Sequence, residues 1–223
     1  MALRAMKLPA PTVFVVDDAP EIRTSLSRLL AAAGHIVQVF ESAGQFLHEH
    51  DVDAPGCLLL DICLPGLSGM ELQRALVGSP MARPIIFLTG TGDIQTSVMA
   101  MKTGAVDFLT KPVDGARLLR AIEQALLRDA EQRLRRAIRN EIEKRLKTLT
   151  PREREVMAHV IRGRLNKQIA AELGTGDKTV KVHRARVMTK MGVRSVPELV
   201  HLVMRVGIAT VPLRMSHEAH AVE

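Results

Sequence analysis

The first half of the chain alternates short apolar runs with segments of helical periodicity. From Ile22 onwards, apolar residues recur at i, i+4, i+7 and i+8, which is typical of one face of a helix. Strands that alternate with helices predict a parallel sheet covered by helices on both faces and joined by right-handed crossovers. We therefore expect an α/β domain built on a doubly wound, five-stranded parallel sheet. Its strands are predicted at residues 12–16, 35–40, 57–60, 85–88 and 106–109.

The middle of the chain predicts one long helix. No glycine or proline occurs at residues 116–147, and apolar residues recur mostly at every fourth position. A helix of this length extends over roughly 48 Å. Residues 133–145 are densely charged, which favours a solvated surface. The pattern leaves open whether the helix holds two domains apart or pairs with a second copy of the chain.

The last part of the chain opens with a strong helix start signal. In the segment LTPRE, Thr150 is a favourable N-cap, Pro151 suits the first helical position, and Glu153 stands three residues after the cap. This spacing predicts a capping box. The helix is expected to end near Ile161, because Gly163 follows.

Three more helices are predicted at short intervals after this one. A short helix is expected at residues 167–173 with Asn166 as its cap, and a longer helix at Asp177–Met191. Two glycines mark the turn between them, and Ser195 begins the last helix. A helix, a short turn and a second helix are typical of a helix-turn-helix unit. We therefore expect an all-α domain of four helices.

Helical phase divides the longest of these helices into two faces. Val180, Val187 and Met191 share one direction and predict the face that packs in the core. Small and basic side chains on the other face suit the major groove of DNA, where they reach base edges and phosphates. A solvated basic helix is the alternative interpretation. The residues opposite the core are Lys178, Val182, Ala185 and Thr189, flanked by Lys181 and Arg186.

Charge is distributed unevenly along the chain, whose formal net charge is +7. Residues 1–115 contain 8 lysine and arginine residues against 12 aspartate and glutamate residues. The balance is reversed in residues 116–150, with 10 against 5, and in residues 151–223, with 13 against 7. An acidic front and a basic back indicate two domains with different partners, and the basic part suits a polyanion such as nucleic acid.

Composition excludes several classes of protein. Hydrophobic residues make up 47% of the chain, which is typical of a globular protein, and aliphatic residues must fill the core because tryptophan and tyrosine are absent. Two cysteines provide no disulfide framework, as expected in a reducing compartment. The first twelve residues lack the apolar core of a signal peptide, and no apolar run approaches the length of a membrane span. We expect a cytoplasmic protein with no membrane contact.

Polar side chains follow four of the predicted strands. Asp17 and Asp18 come after the first strand, Asp61 after the third, Thr89 after the fourth and Lys111 after the fifth. In open parallel sheets, ligands bind beyond the carboxyl ends of the strands. Carboxylates there suit Mg²⁺, an aspartate can attack phosphorus, and a lysine and a hydroxyl can hold phosphoryl oxygens. For the aspartate pair alone, a strand that simply ends in solvent remains the alternative.

The order and spacing of these residues resemble the receiver domain of two-component response regulators. The resemblance covers residues 12–127 and rests on the segments VVDD, LLLDICLPGLSG, FLTG and FLTKP. It implies a flavodoxin-like strand order of 2-1-3-4-5 and a cis Lys111–Pro112 bond. It also implies that a sensor histidine kinase phosphorylates Asp61. Mg²⁺ would be held by Asp18, Asp61 and the backbone carbonyl of Cys63, with Asp17 acting through water; Thr89 and Phe108 would form the switch pair, and Lys111 would bind the phosphoryl group.

Residues 148–206 resemble the LuxR-type DNA-binding domain through the segments LTPRE, NKQIA and TVKVHR. The chain departs from the usual pattern before the recognition helix, where Thr175 and Gly176 replace an aliphatic residue and a serine. The resemblance implies binding to double-stranded operator DNA. The implied DNA contacts are Lys178, Thr179, Lys181, Val182, Ala185, Arg186, Thr189 and Lys190.

The whole chain is thus similar to the FixJ branch of the NarL/FixJ response regulators. The expected parts are an N-terminal extension at 1–11, a receiver at 12–127, a linker helix at 128–147, a DNA-binding domain at 148–206 and a mobile tail at 207–223. The resemblance implies a transcriptional regulator that dimerises through its phosphorylated receiver, binds an operator and acts with RNA polymerase. It implies no enzymatic activity beyond transfer and loss of its own phosphoryl group.

Two other functions remain as alternatives. One is a Mg²⁺-dependent phosphohydrolase with an aspartate nucleophile. Such enzymes tend to carry a second acid two residues after a nucleophile near the first strand, whereas Cys63 holds that position after Asp61. The other is a DNA-binding protein whose receiver no longer works, which the complete set of polar residues at the strand ends disfavours.

Overall fold

The computed structural model describes residues 10–79, 81–90 and 94–207. The chain forms two compact units that divide between Arg133 and Leu134, and each unit is described by itself. The predicted mobile tail lies outside the described residues from residue 208 onwards, as do residues 1–9 of the predicted extension. No helix within the described residues combines the length and the apolar character that a membrane span requires.

The first unit is built on a parallel five-stranded sheet in the order β2-β1-β3-β4-β5, as predicted. The central strands are covered on both faces by helices. The strands are β1 Thr12–Val16, β2 Ile36–Phe40, β3 Gly56–Asp61, β4 Ile85–Thr89 and β5 Asp107–Thr110. The helices of this part of the chain are α1 Pro20–Ala32, α2 Ala43–Glu49, α3 Gly69–Leu76, α4 Ile94–Lys102 and α5 Gly115–Lys147.

The two faces of the sheet pack into two separate apolar cores. Side chains along a strand alternate between faces, so Val13 and Val15 of β1 pack with α1 and α5. Phe14 and Val16 of the same strand pack on the other face with α2 and α3. Three of the five phenylalanines, Phe14, Phe40 and Phe46, meet in this second core. Burial on both faces explains why the central strands are continuous apolar runs rather than alternating ones.

Helix α5 contributes to both units. Near its start, Leu118 and Ile122 are buried in the first core of the sheet unit. Near its end, Ile142 is 2% exposed within the core of the second unit, and Ile138 and Leu146 pack against that core. The division between the units therefore falls inside the segment predicted as a linker, and the charged stretch around it also carries buried apolar residues.

The second unit is all-α. It adds α6 Pro151–Ile161, α7 Asn166–Glu172, α8 Asp177–Met191 and α9 Val196–Met204 to the end of α5. The capping box at the start of α6 is present: Thr150 Oγ1 accepts a hydrogen bond from the Glu153 N–H, and the Glu153 carboxylate accepts one from the Thr150 N–H. Its core contains Val156, Val160, Ile169, Val180, Val187, Met191, Leu199 and Val203.

The prediction that Asn166 caps the short helix is wrong. Asn166 is the first residue of α7, and Leu165 stands at the cap position. The Leu165 N–H donates to the side-chain oxygen of Gln168 at 2.9 Å, which satisfies one of the open donors at the helix start. The Asn166 side chain instead accepts a hydrogen bond from the Arg184 guanidinium of α8 at 3.0 Å. Asn166 therefore joins two helices of the helix-turn-helix pair.

A buried histidine and arginine lie against the aromatic core of the first unit. The His50 ring stacks on Phe46, with ring centroids 4.1 Å apart, and its Nδ1 bonds to the Phe46 carbonyl. The Arg83 guanidinium carbon lies 4.3 Å from the Phe14 ring centroid. Burial lowers the pKa of His50, and the nearby Arg83 charge lowers it further.

The lowered pKa makes His50 a source of acid sensitivity. The unfolded chain takes up a proton near the ordinary histidine pKa of 6.5, whereas the folded chain resists it until the pH reaches the lower folded pKa. We expect the free energy of unfolding to fall as the pH drops through this window. His50→Phe, which keeps a stacked ring, should flatten this part of the profile; the exposed control His48→Gln should not. Urea unfolding followed by circular dichroism at several pH values checks this, and parallel profiles for all three proteins would contradict it.

Candidate functional site

Three carboxylates and one ammonium group converge at the carboxyl edge of the sheet. One carboxylate oxygen from each of Asp17, Asp18 and Asp61 lies within 4.8 Å of the others. The Lys111 Nζ lies 2.6 Å from Asp17 Oδ2 and 2.7 Å from Asp61 Oδ2. The edge therefore presents a compact polar cluster, as the strand ends predicted.

Strand register explains why residues distant in the sequence meet here. β1 and β3 are parallel neighbours, with Val16 paired to Leu60. The residue that follows Val16 is Asp17 and the residue that follows Leu60 is Asp61, so the two carboxylates lie side by side. Asp17 is fully buried, and its Oδ1 accepts a hydrogen bond from the Ala19 N–H at 3.0 Å. The two adjacent aspartates therefore have different environments, because Asp17 is buried while Asp18 is exposed to solvent.

Lys111 balances the charge of the two buried carboxylates. Burial by itself disfavours the ammonium, but the hydrogen bonds that it donates to Asp17 and Asp61, together with their negative charges, raise the pKa of Lys111 overall. Lys111 is thus held in its charged form between two acids. A cation in this position can pair with a phosphoryl oxygen as well as with a carboxylate.

Glycine is required where the loop after β3 returns to the site. A Cβ atom on Gly69 would lie 2.2 Å from the Asp61 carbonyl oxygen, far inside any permitted contact. The Gly69 N–H donates to the Ile62 carbonyl at 3.0 Å, and Ser68 with Glu71 forms a capping box at the start of α3. The segment LPGLSG therefore folds tightly over the carboxyl end of β3.

The donor set at this edge fits Mg²⁺. This ion is bound by one or two carboxylates while it keeps waters and phosphate oxygens, and Asp18 and Asp61 provide such carboxylates beside buried Asp17. Arg23 Nη1 donates to the backbone carbonyls of Asp17 and Asp18 at 2.7 and 2.9 Å, which holds this turn in place. The Cys63 N–H donates to Asp61 Oδ1 at 3.1 Å, so the backbone at Cys63 stays next to Asp61.

The predicted switch residues lie on the two strands beside the cluster. Thr89 ends β4, is 3% exposed, and accepts a backbone hydrogen bond from Lys111 at 2.7 Å. Phe108 lies on β5, opposite Phe87 of β4, and is half-buried against the second core. Their role as a switch pair stays a prediction.

Helix α8 presents the predicted two faces. Val180, Val187 and Met191 are buried in the core of the second unit, as the helical phase predicted. Val182, on the opposite face, is 49% exposed. The exposed residues of the predicted DNA-binding set are Lys178, Thr179, Lys181, Val182, Ala185, Arg186 and Thr189.

Lys190 differs from the rest of this set. Its Nζ lies 2.7 Å from Glu153 Oε2 and 3.0 Å from the Thr148 carbonyl oxygen. Hydrogen bonds from Lys190 and from Thr150 hold the pKa of Glu153 well below its usual range, so the Glu153 carboxylate is charged at neutral pH. Lys190 therefore joins the end of α8 to the start of α6, and its contact with DNA stays a prediction.

Sequence reasoning missed the side chains that hold the helices of the second unit together. Arg152 Nη2 donates to the Leu173 carbonyl at the end of α7, at 2.7 Å. Arg145 Nη1 donates to the Met191 carbonyl at the end of α8, at 3.0 Å. From the sequence, both arginines look like ordinary charged surface residues. Their contacts could not be predicted, because the acceptors are backbone carbonyls far away along the chain.

Comparison with known families agrees with both units. Residues 13–123 match the family described as the response regulator receiver domain. Residues 147–203 match the family described as bacterial regulatory proteins, luxR family. The first match contains the acidic cluster and Lys111, and the second contains all of α8.

Similar proteins combine the same two parts. The chain is 44% identical over 198 residues to nodulation protein W of Bradyrhizobium diazoefficiens, which covers 88% of this chain and 87% of that protein. It is 42% identical over 200 residues to the transcriptional regulatory protein FixJ of Azorhizobium caulinodans, covering 88% and 93%. It is 41% identical over 203 residues to the response regulator protein TodT of Pseudomonas putida, covering 91% and 89%.

Solved structures give the same result. The low-resolution structure of the response regulator StyR matches with a TM-score of 0.78 and 47% identity, covering 88% of this chain and 99% of that one. Full-length FixJ from B. japonicum matches with a TM-score of 0.52 and 40% identity, covering 91% and 100%. With a receiver unit, a LuxR-type helix-turn-helix unit and relatives that match nearly end to end, the chain belongs to the NarL/FixJ family of response regulators, whose DNA binding and control of transcription depend on phosphorylation.

Proposed function

We propose that Asp61 is the phosphorylated residue through which this regulator is controlled. The observation that carries the proposal is the position of its carboxylate, which lies in one cluster with Asp17 and Asp18 and 2.7 Å from Lys111 Nζ. Asp61 is also next to Thr89's strand, since its register partner on β4 is Leu88. A sensor histidine kinase is the proposed phosphoryl donor.

Each neighbouring group has a proposed role in the transfer. Asp18, Asp61 and the Cys63 carbonyl would hold Mg²⁺, with Asp17 acting through water, and the bound ion would supply positive charge to neutralise the phosphoryl group. The Asp61 carboxylate attacks the phosphorus of the kinase phosphohistidine and forms an acyl phosphate, while the P–N bond breaks and the kinase histidine leaves. Lys111, already paired with Asp61, then pairs with a phosphoryl oxygen. The chain acts on its own phosphoryl group, and turnover of an external substrate is not part of the proposal.

The proposed switch connects this chemistry with DNA binding. Thr89 moves its hydroxyl toward a phosphoryl oxygen, and Phe108 turns inward into the space that Thr89 leaves. A ligand shifts a conformational equilibrium only through differential contacts, and the phosphoryl group supplies them here. The rearranged surface supports a homodimer, which brings two recognition helices to an operator with two half-sites. RNA polymerase is the proposed partner of the DNA-bound dimer.

Operator titration of the full-length protein tests this function. Phosphorylation with acetyl phosphate and Mg²⁺ is expected to tighten binding to the operator and to increase the fraction of dimer. Binding is measured by fluorescence anisotropy of labelled operator DNA, and the oligomeric state by sedimentation. Equal operator affinity with and without phosphorylation would contradict the proposal.

The proposed DNA-binding surface of α8 is tested by Lys181→Ala. Removal of this exposed cation is expected to weaken operator binding by about 1–3 kcal/mol if it reads a base. If it contacts phosphate alone, affinity falls on all sequences and the slope of log K against log salt shrinks by about one. Arg154→Ala, an exposed cation of α6 with the same change in charge, is the control. Unchanged affinity and slope for Lys181→Ala would move the DNA-binding surface elsewhere.

A further inference from the structure

A buried hydrogen-bond network ties the middle of α5 to the opposite edge of the sheet from Asp61. Asp129 is 3% exposed, and its Oδ2 accepts hydrogen bonds from the Gly56 N–H and from Arg133 Nε, both at 2.8 Å. Arg133 Nη1 donates to the Asp53 carbonyl at 2.8 Å, and its Nη2 to the Ala54 carbonyl at 2.6 Å. Three short hydrogen bonds thus link one helical turn to the loop before β3, and the fourth joins Asp129 to Arg133 within the helix.

The chemistry of each group suits this position closely. A guanidinium is a planar fork of donors, and here three of its nitrogens reach a carboxylate and two carbonyls at once. A buried carboxylate is costly unless it is paired and hydrogen-bonded, and Arg133 with the Gly56 N–H satisfies Asp129. Gly56 has a φ of +150°, and a Cβ atom there would lie 1.8 Å from the Thr12 carbonyl oxygen. Only glycine therefore fits at the position whose N–H donates to Asp129.

These contacts lie where the apolar packing of α5 in the first unit has ended. Ala125 is fully buried and Leu126 packs against the first core. Every residue at 127–132 other than Asp129 is exposed. Up to Leu126, packing against the apolar core holds α5 in place. Beyond Leu126, the hydrogen bonds of Asp129 and Arg133 hold it instead. The Asp129–Arg133 network therefore controls the helix at the point where it leaves the first unit.

A second arginine, Arg83, also makes a hydrogen bond to the loop before β3. Arg83 is 7% exposed, and its Nη2 lies 3.4 Å from the Asp51 carbonyl oxygen. The loop is consequently held from the segment before β4 as well as from α5. The acceptors for Arg133 thus belong to a restrained part of the protein.

We propose that Asp129 and Arg133 form a clamp that fixes the direction in which α5 leaves the receiver, and that this direction lets a phosphorylated dimer place both DNA-binding domains on two half-sites. The second part rests on the proposed function. Arg133 acts as a positioning residue: it touches neither the phosphoryl group nor DNA. Two linked sites gain affinity only when the linker geometry permits simultaneous binding, so loss of the clamp should affect double-site DNA and spare single-site DNA.

The test uses full-length Arg133→Ala and the control Arg128→Ala, which removes an exposed arginine from the same helix. Arg133→Ala should exchange amide hydrogens faster at residues 53–56 and 127–133 while it accepts a phosphoryl group and dimerises normally. Its affinity for two half-sites should fall on the order of ten-fold or more, with binding to one half-site unchanged. Arg133→Lys should behave like Arg133→Ala, because one ammonium cannot replace the fork. Arg128→Ala should match the unaltered protein in every measurement.

Two results would overturn the clamp. One is unchanged hydrogen exchange at residues 127–133 in Arg133→Ala, and the other is unchanged affinity of that variant for two half-sites when phosphorylation tightens binding of the unaltered protein. If phosphorylation fails to tighten binding of the unaltered protein, the proposed function is wrong, and hydrogen exchange still decides on the clamp. If Arg133→Ala does not fold, Asp129→Asn, which keeps an acceptor for Gly56 but loses the charge, carries the same measurements.

Discussion

Asp61→Asn is expected to take up no phosphoryl group from acetyl phosphate and Mg²⁺, whereas the unaltered protein takes up one. An amide has no anionic oxygen to attack phosphorus, and the change also removes one of the two carboxylates that bind Lys111. The effect on labelling should be complete rather than partial, because Asp17, the other carboxylate that binds Lys111, is fully buried. Intact-protein mass spectrometry measures the added group directly.

The control for this experiment is Asp53→Asn, an exposed aspartate at the other edge of the sheet. It should be phosphorylated to the same extent as the unaltered protein. Operator binding by Asp61→Asn should stay at the level of the unphosphorylated protein in the presence of acetyl phosphate. Equal labelling of Asp61→Asn and the unaltered protein would rule out Asp61 as the acceptor.

A fragment of residues 148–207 is expected to be far less stable than a fragment of residues 134–207. The shorter fragment begins at the predicted domain boundary, but it lacks Ile142, which is 2% exposed, as well as Ile138 and Leu146. Full burial of one such side chain contributes about 1.5–3 kcal/mol. A small domain is stable by only about 5–15 kcal/mol, so the loss of these contacts removes much of the total. Urea unfolding followed by circular dichroism compares the two fragments.

Point variants of the longer fragment separate packing from chain length. Ile142→Ala should lower the free energy of unfolding by about 2–5 kcal/mol, as for other buried aliphatic residues. Leu134→Ala is the matched control, because Leu134 is 62% exposed and should change stability little. Equal urea midpoints for the 134–207 and 148–207 fragments would show that the end of α5 is dispensable to the DNA-binding domain.

The features that sequence predicted correctly depend on regular periodicity. Burial on both faces makes β1, β3 and β4 continuous apolar runs, so their positions are plain in the sequence, and parallel topology then brings Asp17, Asp61 and Lys111 to one edge. The faces of α8 follow from helical phase in the same way, as burial of Val180 and Val187 confirms. In each case one repeating geometry determines where a side chain points.

Features that depend on a single distant partner could not be predicted. Asp129 meets Gly56 across 73 positions in the sequence, and nothing near either residue indicates the other. Arg133 lies in a charge-dense stretch typical of a solvated helix, yet its donors are used by backbone carbonyls. Apolar spacing shows that Ile142 lies on a stripe, but a stripe on a long helix does not reveal which core it enters.

The division of α5 has a consequence for recombination between regulators. The helix is continuous from Gly115 to Lys147, and no loop marks a boundary along it. If the parental sequences join upstream of Arg133, this residue and its backbone acceptors come from different parents. If they join downstream of Ile138, the side chains of α5 that pack in the second core come from the other parent. Chimeras that exchange output modules should therefore keep the most function when the parental sequences join between Arg133 and Leu134, without insertion or deletion.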